Sequence, residues 1–290
     1  MTQNFQVLGI DIAGIRLRLR LPRDLYPQAQ RMFSGFVVDG GGRVVTVRRV
    51  NSHQNRQAGV ATVSRSARGV TFTDGARYHA RFDEDLRCGA ITVISRDGFS
   101  TTPRPFALAS ALRSLVGWML ARQGGLLIHS AAVIINGFAV LCVGRSGAGK
   151  STLAGFFTPE EALGDELIAM RMVGQRVTLH STPFSGTLDR PLWRQSARWA
   201  LGLHLCKDHT ARIEPISREE NLRRLMRCVA MPAGDAQAER MAFGTAARFA
   251  ASPGWAQLRF PRQGGPTRRV LHRGVARSTG VHCPEDRIVS

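Results

Sequence analysis

Nine residues in the middle of the chain, Gly144, Arg145, Ser146, Gly147, Ala148, Gly149, Lys150, Ser151 and Thr152, limit its fold more than any other stretch. They fit G-x-x-x-x-G-K-[ST] at every fixed position. In such a loop the glycines let backbone N–H groups turn inward around an anion, and the helix that follows adds its positive end. The loop therefore needs a buried strand before it and a helix after it. The apolar run "FAVLCV" (138–143) supplies the strand and "STLAGFF" (151–157) the helix. That context makes the fold α/β, a mixed sheet around the loop with flanking helices.

The chemistry this implies is nucleotide binding, with ATP and Mg²⁺ as cofactors. Lys150 brings a mobile charge to the β- and γ-phosphates, and the Ser151 hydroxyl ligates Mg²⁺. Lysine is otherwise nearly absent: of 40 Lys and Arg residues only Lys150 and Lys207 are lysine. A compact point charge is what lysine offers and arginine does not.

Upstream, "IHSAAVIINGFAVLCV" (128–143) flanks an Asn-Gly pair with β-prone runs, the signal of a two-residue hairpin turn. That turn pairs Ile135 with Phe138, then steps outward one residue at a time, and brings His129 opposite Gly144. The imidazole there serves the phosphate site or is a core group satisfied by backbone; the register alone leaves both readings. Downstream, "LGDEL" (163–167) places Asp165 and Glu166 fifteen and sixteen residues past Lys150. These are the nearest acids able to hold a metal or activate an attacking group, a solvated loop pair being the alternative.

A net charge of +19 raises nucleic acid, anionic lipid or an acidic partner as candidates. No helix-turn-helix, zinc or aromatic-basic stacking motif accompanies the charge, so a nucleic-acid partner is not expected. The five cysteines are odd in number with no C-x-x-C, which fits a reducing cytoplasm rather than a disulfide framework or zinc site. The N-terminus lacks the basic start and apolar core of a signal peptide. Residues 126–143 are long enough to span a bilayer, but His129, Ser130, Asn136 and Gly137 interrupt them, and they read as two strands rather than a membrane anchor.

Three regions follow. Residues 1–104 read as a β-rich N-terminal domain: "IRLRLRL" (15–21) alternates strictly, "FVVDGGGRVVTV" and "VTFTDGARYHARF" read as hairpins, and "AITVIS" as a strand. His53 and His79 there are isolated. Pro103 and Pro105 mark a boundary, and residues 105–263 form the phosphate-loop domain. It opens with an amphipathic helix over 106–122, with Leu108, Leu112, Leu115 and Met119 on one face. Strands are expected over 175–181, 200–206 and 255–260, and helices over 217–229, opened by Ser217 and Glu220 in capping-box spacing, and over 235–251. Residues 264–290, basic and without periodicity, read as a flexible tail.

A strand carrying His before two small residues, a tight hairpin into G-x-S-G-x-G-K-S, and an acidic pair shortly after: together these resemble the HPr kinase/phosphorylase family, whose nucleotide core is shared with phosphoenolpyruvate carboxykinases. The similarity covers residues 126–171 best and continues loosely through "HSTPFSGTL", the arginine-rich helix and "WAQLRF". The resemblance implies an ATP-dependent kinase acting on a serine of a protein or peptide. It implies Asp165 as base, Glu166 (where the family more often has Asp) and Ser151 on the metal side, and His129 near the γ-phosphate. "TPFSGTL" (182–188) would line the acceptor side. A small-molecule kinase on the same core, or an ATP-binding module of a peptide-modification or regulatory complex with little turnover, are the competing readings. A homo-oligomer stays open.

Overall fold

A computed structural model describes residues 4–51, 57–95, 106–186 and 192–281. His53, Pro103, Pro105, Thr187, Leu188 and Cys283 lie outside the described residues. The chain divides into two compact units, residues 1–123 with 230–241, and residues 124–229 with 242–290. Both sheets mix parallel and antiparallel pairs, so the protein is α/β throughout.

The first unit is built on strands β1 (Phe5–Ile12), β2 (Ile15–Pro22), β3 (Arg43–Asn51), β4 (Thr62–Ser66), β5 (Gly69–Thr73), β6 (Tyr78–Phe82) and β7 (Cys88–Ser95). They lie in the order β1-β2-β3-β7-β6-β5-β4. The alternation of β2 sends Ile15, Leu17, Leu19 and Leu21 into the core and Arg16, Arg18 and Arg20 to solvent. Asp74 and Gly75 turn β5 into β6 as the sequence predicts. The hairpin expected around Gly40, Gly41 and Gly42 does not form. Residues 26–33 are instead a helix, α1 (Tyr26–Phe33), with a proline in its first turn and Ala29 and Phe33 buried one turn apart. β3 then pairs parallel to β2 and to β7. A helix crossover joins two parallel strands, where two Val-rich runs beside glycines suggested a local turn.

Helix α2 (Phe106–Arg122) forms as predicted, but it is not amphipathic. Of its described side chains only Ala107, Ser110, Arg113 and Arg122 escape full burial. It packs on β5, β6 and β7 and belongs to the first unit, so the division falls after Gln123 rather than near residue 104. Residues 230–241 return to this unit, where Asp235 accepts a hydrogen bond from the Trp118 indole at 2.9 Å.

The second unit holds β8 (Gly125–Ile135), β9 (Phe138–Val143), β10 (Ala162–Gly164), β11 (Leu167–Val173), β12 (Arg176–His180), β13 (Ser196–Lys207), β14 (Arg212–Pro215) and β15 (Trp255–Phe260). Its helices are α3 (Lys150–Ala154), α4 (Arg218–Met226) and α6 (Gly264–Thr279), with α5 (Ala236–Ala251) crossing the division between units. Strand β13 is the hub. It runs parallel to β9 and to β15 and antiparallel to β12. The C-terminal ends of β9, β13 and β15 therefore point the same way, and the loops that follow them meet at one end of the sheet. Leu153, Phe157, Leu203, Leu258 and Phe260 fill the core beneath that end.

The expected flexible tail is a helix over most of its length. In α6, Thr267, Leu271 and Val275 are fully buried at four-residue spacing, an apolar stripe hidden in an arginine-rich run. Arg268 fixes its first turns, pairing with Glu161 at 3.1 Å and lying 4.6 Å over the Phe157 ring. No helix among the described residues is long and apolar enough to cross a membrane.

Candidate functional site

The hairpin of β8 and β9 builds the site from the bottom. Asn136 and Gly137 take positive φ of 51° and 79°, as a two-residue turn demands. The register runs from Ile135 opposite Phe138 to Ser130 opposite Val143, each step as the turn dictates. His129 is the next residue out. Its backbone leaves the β9 pairing and sits opposite Leu167 of β11 instead.

The loop from Gly144 to Gly149 follows, and Gly149 caps the short α3 with φ of 99°. A side chain at Gly149 would meet the Phe260 ring at 2.7 Å, so this glycine also lets the end of β15 close on the loop. Lys150 is buried and folds back over the loop, its Nζ donating to the carbonyls of Gly144 at 3.0 Å and Arg145 at 3.4 Å.

The acidic pair occupies the bend between β10 and β11. The three residues of β10 suffice as a strand because β8 pairs with them. Backbone bonds hold the bend: the Glu166 carbonyl accepts from the Ser130 N–H at 3.1 Å, and the Leu167 carbonyl from the Thr182 hydroxyl at 2.6 Å. Asp165 is only 4% exposed, and its Oδ1 accepts the Gly186 N–H at 3.0 Å. His129 Nε2 lies 3.7 Å from Glu166 Oε2, an ion-pair distance when the ring is protonated.

These groups converge. His129, Ser146, Gly147, Gly149, Lys150, Ser151, Thr152, Asp165 and Glu166 all line one cavity of about 1020 Å³. Gly144, Arg145 and Ala148, expected in the same set, line a neighbouring cavity of about 680 Å³ instead. His129, Ser146, Gly147 and Lys207 line both, so the loop is the wall between them.

The sequence reading singled out neither Lys207, Asp208 and His209 nor residues 260–263 as part of this cavity. Lys207 closes the hub strand and faces the larger cavity, so both lysines of the chain meet there; the rarity of lysine was the available signal. Residues 260–263 form a further wall. Gly186 was within the segment expected to line the acceptor side, but its role is closer: a Cβ there would sit 2.7 Å from Asp165 Oδ2. Of the cysteines, Cys142 is wholly buried and its thiol is pushed up to about 12 by that burial. Burial likewise raises Cys228. Neither is poised as a nucleophile.

The donor set suits Mg²⁺ arriving with a nucleotide. Ser151, Asp165 and Glu166 offer hard oxygens beside Lys150, and Mg²⁺ takes one or two carboxylates plus phosphate oxygens. Among the described residues no group of three or more His, Cys, Asp or Glu forms a metal cage made by protein alone.

No protein-family model matches the chain, and no curated protein does. Among solved structures, the Hpr(Ser) kinase/phosphatase from Coxiella burnetii is similar at a TM-score of 0.29 and 13% sequence identity, over 52% of this chain and 95% of that one. A likeness of that size carries no weight for the chemistry, which stands on the residues themselves.

Proposed function

We propose that the second unit is an ATP-dependent, Mg²⁺-requiring kinase of the HPr-kinase type, which transfers the γ-phosphoryl group to a serine hydroxyl of a protein or peptide. The observation that carries this reading is the meeting of Lys150, Ser151, Asp165, Glu166 and His129 on one cavity wall. Mg²⁺ bound with ATP would supply charge neutralisation at the phosphates.

The chain's own residues do the rest. Loop amides and Lys150 would hold the phosphates, and Ser151 and Glu166 would hold the metal side. Asp165, held by the Gly186 amide on the same cavity wall, would accept the proton of an incoming hydroxyl. In the transfer, the serine oxygen bonds to the γ-phosphorus as the bond to the bridging oxygen of ADP breaks, and the hydroxyl proton passes to Asp165. His129, beside Glu166 and the loop, would offer a hydrogen bond to the transferring group. Positioning and electrostatics of this kind carry most of phosphoryl transfer.

Purified protein, Mg²⁺ and γ-labelled ATP incubated with lysate of the source organism test the reading, with Asp165→Asn alongside. A labelled band that vanishes in the variant supports it. ATP bound equally by both proteins, with no label transferred to any protein, removes the protein-kinase reading and leaves a small-molecule acceptor or an ATP-binding module.

A further inference from the structure

The two cavities on either side of the phosphate loop differ in charge. Three cations (Lys150, Lys207, Arg262) and three carboxylates (Asp165, Glu166, Asp208) line the larger. The smaller has five cationic side chains, Arg145, Lys207, Arg223, Arg224 and Arg227, against the single carboxylate of Glu220. Glu220 is already engaged. It accepts from both Arg223 and Arg224, and those two arginines hold its carboxyl down to about 2. Arg224 also donates to the Gln257 amide oxygen at 3.0 Å, so this pair is set in place before any ligand arrives. Arg145, Lys207 and Arg227 have no side-chain partner among the described residues.

The helix that presents these arginines is itself anchored from beneath. Buried His204 on β13 donates from Nε2 to the Asn221 Oδ1 at 2.7 Å, and the Asn221 amide donates to the Ala250 carbonyl at 2.8 Å. A buried tether of this kind fixes α4 relative to the hub strand. The cavity is thus an ordered basic pocket that shares its wall, including His129, with the phosphate site.

We infer that the smaller cavity is the acceptor side, and that the acceptor carries a carboxylate or phosphate next to the hydroxyl that receives the phosphoryl group. This rests on the kinase reading above. Fixed guanidinium groups bind such anions in forked pairs, while the side chains without partners supply the charge that an acceptor brings to neutrality. The anionic group enters the smaller cavity, and the hydroxyl reaches past His129 toward Asp165, where the transfer proceeds with the bond changes given above.

The test uses the full chain saturated with Mg²⁺ and a non-hydrolysable ATP analogue, so that the phosphate loop is filled. Calorimetry then compares four probes: a Glu-Ser-Glu peptide with its Gln-Ser-Gln twin, and glycerol 3-phosphate with glycerol. Turnover of the same probes with γ-labelled ATP gives kcat/KM. The charged member of at least one pair is expected to be preferred by about 10-fold or more, as for charge-assisted contacts. That preference should fall in Arg227→Gln and in Arg145→Gln, shrink with added salt, and persist in Arg176→Gln, an arginine lining a different cavity. The pair that responds says whether the anion belongs to a peptide or a free metabolite. Equal treatment of charged and neutral probes, absence of binding by both charged probes at millimolar concentration, or a preference that survives both pocket variants overturns the inference while the kinase reading stands. Failure to bind the nucleotide analogue at all removes both.

Discussion

Asp74 and Asp165 are each 4% exposed, yet their surroundings differ. In the β5–β6 turn, Asp74 takes the N–H groups of Ala76, Arg77 and Tyr78 and the Arg77 guanidinium at 2.6 Å. Burial works against its charge, but those four donors outweigh it and leave the carboxyl below its usual range. Asp165 is reached from a distant part of the chain, accepting the Gly186 amide, and it forms part of a cavity wall beside Lys150 and Ser151. A buried carboxylate enclosed by its own turn stabilises a fold. One on a cavity wall, as Asp165 is, can also meet a group that enters from outside.

Asparagine at each position breaks or sharpens that contrast. Asp165→Asn should lower transfer by roughly 10²- to 10⁴-fold, the range for loss of a general base, with little change in melting temperature or ATP affinity. Asp74→Asn should do the reverse. Turnover stays and unfolding becomes easier by about 2 kcal/mol, since a charged acceptor of several buried donors is lost, as denaturant melts would measure. If both variants lose only stability, Asp165 is no base.

Gly186→Ala is the next largest expected effect. Its methyl group must displace Asp165, and about a tenfold loss in kcat is expected with nucleotide binding retained, on the scale that small misplacements of reacting groups cost.

The pH dependence of stability separates the regions more gently. Asp74 is lowered from 3.8, so its contribution is complete above that value and is lost as pH falls through the lower folded one. His204, lowered from 6.5 chiefly by burial, takes a proton more readily when unfolded. Its contribution is complete above 6.5 and declines as pH falls below it. Melting temperature between pH 7 and 5 should therefore drop in the parent chain and flatten in His204→Gln. Smallest is Ser217→Ala, which removes the acceptor of the Glu220 N–H and should cost α4 about 1 kcal/mol.

What could be read from the sequence was local. Asn136 and Gly137 fixed the hairpin register because turn chemistry acts over two residues, and Ser217 announced α4 for the same reason. What escaped depends on residues far apart in the chain. The parallel pairing of β3 with β7 left no mark on the glycines between β2 and β3, which read as a hairpin. Gly186 meets Asp165 across 21 positions, and nothing in "TPFSG" announces that contact. The basic cavity joins the loop, the end of β13 and one face of α4, none of which is unusual alone. The stripe along α6 was visible in principle at Thr267, Leu271 and Val275, but arginines on the other faces masked its period.

The convergence of Lys150 and Lys207 has a practical consequence. They are the only ε-amines in the chain, and both line the larger cavity. Apart from the α-amino group, an amine-selective reagent has only these two targets, and peptide mass mapping that separates buried Lys150 from exposed Lys207, which also borders the smaller cavity, would report whether a ligand shields the loop lysine.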